Sequence, residues 1–550
     1  MSVVLEQNVC ECPNPEEMAE TYAEVARRAS KLIGEHIQRR LQKGIQPPTD
    51  ELGIAQAFMD MMSRLLSNPY KLAQSQMNLV WDYFTLWQQS MLRFAGMQAA
   101  PVVIPSRSDK RFRDEGWQEH FMFDFVKQSY LIAARHIHET VNGVEGLDEQ
   151  TARKVDFYTR QYIDALSPSN FALTNPEVFR ETVRCNGQNL VKGLNNLLRD
   201  IEEGNGNLRV RMTDTTAFEL GKNVATSPGK VVFQTDMMQL IQYQPSTAKV
   251  YKRPVLIVPP WINKFYILDL REKNSFIKWL VEQGQTVFVI SWVNPDERLA
   301  EKTFDSYMKE GIFAAIDAIE KQTGEKDVNA IGYCLGGTLL AVTLAYLAAK
   351  KQKRIASATF LTTLTDFSDP GELGVFIDEE QVTNLEKKMF QRGFLEGSEM
   401  AGTFNMLRSN DLVWSFVVNN YLMGRNPFPF DLLYWNSDST RLPAKMHSFY
   451  LRKMYMENKL VEPGGIEIDG VPLDLGKINV PCYFISTIED HIAPWKSTYT
   501  GATHFTAPVR FVLGGSGHIA GVVNPPAANK YGYWINPADK LPPTADEWFS

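Results

Sequence analysis

Residues 328–349 read VNAIGYCLGGTLLAVTLAYLAA, and the architecture turns on how this stretch is parsed. From 331 to 349 it runs 19 residues without a charge, long enough to nominate a membrane-spanning helix. Gly332, Gly336 and Gly337 crowd its first third, however, and the residues feeding it (Val328, Ala330, Ile331) are strand-like. A buried strand, a tight turn and a buried helix account for the run better than a membrane span. Gly332-Tyr333-Cys334-Leu335-Gly336 then has the form G-x-C-x-G, a nucleophile elbow with Cys in place of Ser. Glycines two residues to either side remove side chains that would clash at so sharp a turn. The turn leaves Cys334 at a helix N-terminus, where the dipole and free N–H groups favour a thiolate and can hold an oxyanion. The competing reading is a buried structural cysteine flanked by glycines.

On either side, strands alternate with helices. Val255–Val258 is an apolar strand closed by Pro259-Pro260. Further strands are expected at 286–291, 328–333, 359–364, 482–486 and 509–513, with helices at 274–283, 304–321 and 338–350. Near-continuous apolar strands between helices imply a parallel sheet covered on both faces. With the elbow, this predicts an α/β-hydrolase fold. That fold orders its catalytic groups along the chain as nucleophile, acid, histidine. Asp490 follows the 482–486 strand, and His518 follows the 509–513 strand through Gly514-Gly515-Ser516-Gly517. His491 is the rival base, and Asp366 and Asp411 are rival acids, Asp366 because it follows the strand before the long gap. The 156 residues from Cys334 to Asp490 are too many for one or two βα units, so about 372–477 is read as a cap insertion. The cap is rich in aromatics such as Trp414, Tyr421, Tyr434 and Trp435, and can exclude water from an acyl-enzyme. The oxyanion hole is expected from the N–H of Leu335 and that of Trp261 or Ile262, with the Asn263 side chain a weaker candidate.

The first 210 or so residues read as helical. Ile54, Phe58, Met61, Met62, Leu65 and Leu66 recur at helical spacing, as do Val80, Phe84, Trp87 and Met91, with Asn68-Pro69 between the two stripes. The stripes read as ordinary helical core or as a surface for a partner protein or an apolar particle. A charged, Gly/Asn-rich stretch at 202–207 marks a boundary, giving a helical domain over 1–205 and a catalytic domain over 206–550. With 57 Lys+Arg against 64 Asp+Glu, the net charge of −7 disfavours a general nucleic-acid binder. Five scattered cysteines (Cys10, Cys12, Cys185, Cys334, Cys482) argue against a disulfide framework and fit a reducing compartment. The N-terminal stretch lacks the pattern of a secretory signal. Cys10-x-Cys12 has no second pair or nearby His at a zinc spacing, and no phosphate-binding or dinucleotide-binding glycine pattern is present, so neither metal nor cofactor is expected.

At these residues the chain resembles the polyhydroxyalkanoate synthases. The resemblance spans most of the chain. It is carried by Asp109-Lys110-Arg111-Phe112 with Trp117, and by Ser167-Pro168-Ser169-Asn170-Phe171 with Thr174-Asn175-Pro176. It continues through Pro259 to Leu270, Ser291-Trp292 with Asn294-Pro295-Asp296, and Gly332 to Gly337. Tyr450-Leu451-Arg452 with Glu457 to Leu460, Asp490 to Trp495, and Gly514 to His518 complete it. A cap position that is often Cys in the family is Ser448 here. The resemblance implies that Cys334, Asp490 and His518 are the catalytic set. The implied reaction joins (R)-3-hydroxyacyl units from coenzyme A thioesters into polyester and releases coenzyme A. The segment around Asn68-Pro69, Trp81-Asp82-Tyr83 and Leu86-Trp87-Gln88 is most similar to class I enzymes, which favour short monomers such as 3-hydroxybutyryl. The same resemblance implies a homodimer bound to polyester granules in the cytoplasm. It also suggests that Asp490 helps activate the 3-hydroxyl, whereas fold logic alone makes Asp490 the group that orients His518. A Cys-dependent thioesterase or lactone hydrolase fits the elbow equally well, and a non-catalytic granule scaffold is the alternative from another class.

Overall fold

The computed structural model describes residues 20, 23–25, 27–32, 34, 52–537 and 540–550. Cys10 and Cys12, and the N-terminal stretch, lie outside the described residues. The chain divides into two compact units, one comprising Met1–Asp214 with Arg408–Phe428, the other Thr215–Leu407 with Pro429–Ser550.

The first unit is helical: α1 (Ile54–Ser67), α2 (Pro69–Phe94), α3 (Phe121–Asn142), α4 (Glu149–Ala165), α5 (Pro176–Arg184) and α6 (Gln188–Glu203). The break at Asn68-Pro69 is a cap. The Asn68 side chain accepts from the Lys71 N–H, and Pro69 takes the first helical position, where no N–H is needed. Ala57 and Met61 of α1 bury against Val155 of α4. The α2 stripe is not core: Val80, Phe84, Trp87 and Met91 are all exposed. The Asp109–Arg111 motif is structural, since the Arg111 guanidinium pairs with Asp109 and Asp164 and lies over the Phe112 and Tyr130 rings.

Arg408–Phe428 falls within the stretch read as a cap, yet it packs on α6. Asn196 Nδ2 donates to the Asn420 carbonyl at 3.0 Å, and Asn189 Nδ2 to the Leu422 carbonyl at 2.9 Å. The Tyr421 hydroxyl reaches Asp200 at 2.6 Å. A Cβ at Gly193 would stand 1.7 Å from the Tyr421 carbonyl oxygen, so only glycine permits this approach. One cysteine in this unit departs from expectation: Cys185 is disulfide-bonded, whereas Cys334 and Cys482 of the second unit are free.

The second unit is built on a nine-stranded sheet. Its strands are β1 (Gly229–Gln234), β2 (Met238–Tyr243), β3 (Val255–Val258), β4 (Val287–Trp292), β5 (Val328–Tyr333), β6 (Ile355–Leu361), β7 (Cys482–Thr487), β8 (Val509–Gly514) and β9 (Tyr533–Ile535). The order is β1-β2-β4-β3-β5-β6-β7-β8-β9. Strands β3 to β8 are parallel, while β1, β2 and β9 pair antiparallel at the two edges, a departure from the all-parallel expectation. β6 also sits earlier than the expected 359–364. The chain turns out of the sheet at Thr362, whose φ is +44°, and the Thr-rich run beyond it is loop. Helices α7 (Phe276–Glu282), α8 (Ala314–Thr323) and α9 (Leu335–Ala349) cover the sheet, with α10 (Glu379–Arg392) and α11 (Ala444–Tyr450) in the insertion. The expected helix over 304–321 is interrupted by a π-helical segment at Tyr307–Phe313, where Gly311 leaves room for the Trp292 ring. Apolar side chains form a separate core on each face of the sheet, and Cys334 packs against both. α9 is buried nearly throughout and is 15 residues long; no helix among the described residues is long and apolar enough to cross a membrane.

Candidate active site

β5 delivers Tyr333 to the end of the sheet, and the chain then reverses into α9. Cys334 occupies the turn with φ +51° and ψ −117°, a backbone state costly for any residue but glycine. The flanking glycines explain how the turn closes. A Cβ at Gly332 would come within 2.5 Å of the Gly337 Cα, one at Gly336 within 2.0 Å of the Val258 carbonyl oxygen, and one at Gly337 within 2.0 Å of Thr363 Oγ1. The strained residue is held by its neighbours: its N–H donates to the Leu361 carbonyl at 2.8 Å, and its carbonyl accepts from Gly337 and Thr338. Leu335 is the first residue of α9, so its N–H is among those a helix leaves without an intrahelical acceptor.

The base and acid arrive from the next strands. His518 follows β8, and its Nδ1 lies 2.7 Å from Asp490 Oδ2. The other Asp490 oxygen accepts from the Ile492 and Ala493 N–H groups at 2.9 and 2.8 Å, so both carboxylate oxygens are engaged, and the Asp490 side chain has no exposed surface. The Tyr333 hydroxyl donates to the His518 carbonyl at 3.2 Å, and the two rings stack with centroids 5.9 Å apart. Burial works against charge on the His518 imidazole. The Asp490 carboxylate, the neighbouring Cys334 and hydrogen bonds to both outweigh it and hold the His518 pKa well above the ordinary histidine value. Cys334, Asp490 and His518 are therefore brought together as one hydrogen-bonded set.

The rival residues lie elsewhere. Asp366 Oδ2 pairs with His504 Nε2 at 2.8 Å, and its Oδ1 accepts from Asn458 Nδ2 and the Ser368 N–H. Burial would raise the Asp366 carboxyl, but these donors hold it well below the usual carboxylate range. Asp411 belongs to the helical unit, where it pairs with Lys110. The Asp490 oxygens are taken by His518 and backbone N–H groups rather than by His491. No cluster of three or more His, Cys, Asp or Glu side chains that could hold a metal occurs among the described residues.

The loop after β3, with Trp261 and Ile262, lies beside the elbow, as the contact between Gly336 and Val258-Pro259 requires. The Trp261 ring is buried among Trp292, Phe304 and Tyr307. Trp292 Nε1 donates to the Pro259 carbonyl at 2.8 Å and so braces the loop from β4. Asn263 is drawn toward the insertion, its Nδ2 near the Asn436 carbonyl at 3.4 Å. Close to Cys334 stand two phenols, Tyr450 and Tyr455, with ring centroids 5.3 Å apart and Phe367 packed edge-on against both. Burial pushes both phenols upward, with Cys334 adding to each shift, so they remain neutral. Ser448 hydrogen-bonds to Glu386, which also pairs with Arg452 at 2.7 Å. The sequence reading did not identify the roles of Trp292, Tyr333, Tyr450 or Tyr455. Trp292, Tyr333 and Tyr450 lie inside short sequence motifs, but nothing in their spacing shows what they touch.

The chain is similar in sequence to known proteins. The family described as "Poly-beta-hydroxybutyrate polymerase (PhaC) N-terminus" matches residues 108–280, and the one described as "alpha/beta hydrolase fold" matches 254–525. The poly(3-hydroxyalkanoate) polymerase subunit PhaC of Rhizobium meliloti (strain 1021) is 50% identical over 96% of this chain and 86% of its own length. The poly(3-hydroxyalkanoate) polymerase of Methylorubrum extorquens is 51% identical over 94% of this chain and 86% of its own. The corresponding subunit of Cupriavidus necator is 41% identical over 90% and 82%. With a hydrolase-type sheet, a cysteine elbow and this degree of identity along nearly the whole chain, the protein belongs to the poly(3-hydroxyalkanoate) polymerase family, acyltransferase-type synthases of the α/β-hydrolase fold.

Proposed function

We propose that the chain polymerises (R)-3-hydroxyacyl units, taken from coenzyme A thioesters, through a thioester on Cys334. The observation that carries this reading is the pairing of a strained elbow cysteine with a buried, Asp490-held His518 whose proton affinity is raised. His518 takes the Cys334 proton, and Sγ attacks the thioester carbonyl. The N–H groups of Leu335 and of Ile262 or Trp261 face the resulting oxyanion. The carbonyl re-forms, the coenzyme A thiolate leaves, and the imidazolium returns its proton to that leaving group. Exchange of one thioester for another is near thermoneutral, so loading is easily driven by the next step. In that step His518 takes the proton of an incoming 3-hydroxyl, whose oxygen attacks the Cys334-bound acyl group; an ester forms, and Cys334 leaves as thiol. Tyr450, Tyr455 and Phe367 keep the surroundings apolar, which favours transfer to a hydroxyl over loss to water. Asp490 acts through His518, because its side chain has no exposed surface with which to meet a substrate hydroxyl. The exposed aromatic stripe of α2 is the surface for contact with the polyester granule or a second copy.

Purified protein given 3-hydroxybutyryl-CoA should release coenzyme A and form insoluble polyester, and Cys334→Ala should abolish both. Turnover by the folded Ala variant would overturn the nucleophile assignment. Coenzyme A with free acid in place of polyester would make the protein a hydrolase.

A further inference from the structure

The limb of chain that returns from the insertion is fastened to the loop carrying the expected oxyanion donors. Thr440 makes two of these bonds. Its hydroxyl donates to the Trp261 carbonyl, and its N–H donates to the Ile262 carbonyl at 2.8 Å. Asn263 and Ser439 form an antiparallel bridge, and Trp435 Nε1 donates to the Lys264 carbonyl at 2.7 Å. Thr440 is 1% exposed, so water does not substitute for its hydroxyl.

We infer that Thr440 is a positioning residue that aims the Ile262 N–H at the oxyanion formed on acylation of Cys334. The inference rests on the acyl-transfer reading above. The physical link is peptide planarity. The Trp261 carbonyl and the Ile262 N–H belong to one trans peptide unit and point in opposite directions. Fixing the carbonyl with the Thr440 hydroxyl therefore fixes the N–H on the opposite edge of that unit, in a loop whose first residues, Val258 and Pro259, pack against Gly336 of the elbow. The adjacent bond to the Ile262 carbonyl stops the next unit from rotating in compensation. An oxyanion hole works because its donors are already in place when charge develops, so a donor free to tilt loses most of its value.

Thr440→Val keeps the shape and the backbone bond and removes only the hydroxyl. Three measurements on the full chain separate the possibilities: coenzyme A release from 3-hydroxybutyryl-CoA, the p-nitrophenol burst from p-nitrophenyl acetate, and alkylation of Cys334 by iodoacetamide. Alkylation displaces iodide at a saturated carbon and forms no oxyanion, so it reports the thiol and His518 alone. In the Val variant, kcat and the burst rate should fall by up to about 10²-fold, approaching the loss of one oxyanion donor, with KM near the parent's and alkylation unchanged. Thr440→Ser, which restores the hydroxyl, should recover most of both rates. Equal loss of acylation and alkylation, or no loss of either, would overturn the inference, as would a Ser variant no better than Val. If the parent leaves 3-hydroxybutyryl-CoA intact but the ester burst still depends on the Thr440 hydroxyl, the substrate reading fails and the positioning role stands.

Discussion

Asp490 carries three hydrogen bonds on two oxygens, and that count constrains what it can do in catalysis. An Asn at this position could still accept the Ile492 and Ala493 N–H bonds through its oxygen. It could not hold the imidazolium, and its amide would press His518 toward the wrong tautomer. Asp490→Asn should therefore slow loading and elongation together, by on the order of 10²–10⁴-fold. Single-turnover release of coenzyme A checks this: the ratio of first-turnover rate to steady rate should match the parent's. A fast first equivalent followed by a slow phase would instead give Asp490 a separate part in activating the 3-hydroxyl. Cys334, Asp490 and His518 were legible in the sequence because each sits in a short pattern at a strand end: Gly332 to Gly336, the loop after β7, and Gly514 to Gly517. Thr440 was not. It lies 179 residues from Trp261 and meets it only through the fold, and no spacing rule connects a threonine to a carbonyl that far away.

Among the described helices, α2 presents an apolar stripe that stays exposed. Trp81, Phe84 and Trp87 form a ladder with ring centroids 5.9 and 6.1 Å apart, and all three are exposed. Removing an aromatic ring of this size from water is worth about 1.5–3 kcal/mol. Replacing Trp81 and Trp87 with Gln should lower partitioning onto polyester particles by roughly tenfold or more, with the melting temperature nearly unchanged because no buried contact is lost. Co-sedimentation with granules, together with solution mass, measures this; unchanged values for both would remove α2 from any interface. Substitution is a cleaner probe than deleting residues 1–200, since Asn189, Asn196 and Asp200 are partners of residues 420–422. The parallel strands could be read in advance because burial on both faces makes them continuous apolar runs. β1 could not: all six of its residues are exposed, so it shows no alternation. The seating of Arg408–Phe428 on α6 depends on a glycine and two asparagines more than 200 residues distant, and its local helical pattern gives no sign of that.

Across the protein, two buried histidines oppose each other in their response to pH. His447 of α11 is 4% exposed, and burial pushes its pKa down to about 4, so it is neutral in the fold. Its contribution to stability is complete above the unfolded value of about 6.5 and is lost as pH falls toward 4. His518 is shifted the other way, so its contribution is complete below about 6.5 and is lost only as pH rises through its raised folded value. His447→Gln should reduce the stability lost between pH 7 and 4.5 by roughly 2–3 kcal/mol, read from denaturant midpoints at the two pH values. An unchanged difference would mean that His447 is not the group resisting protonation. The sheet order has a consequence for how the protein comes to life on the ribosome. β3, β4, β5 and β6 are neighbours in the sheet and lie within residues 255–361, so the elbow can form once that stretch has emerged. β7 pairs with β6 only after about 120 more residues, and His518 emerges 184 residues after Cys334. Counted from Leu361, which completes the elbow, the interval is 157 residues, so at about 5–20 residues per second the nascent chain carries a finished elbow without His518 for on the order of eight to thirty seconds. In the mechanism proposed above, acyl transfer is thus withheld until His518 has emerged, and no shorter nascent chain can begin a polyester.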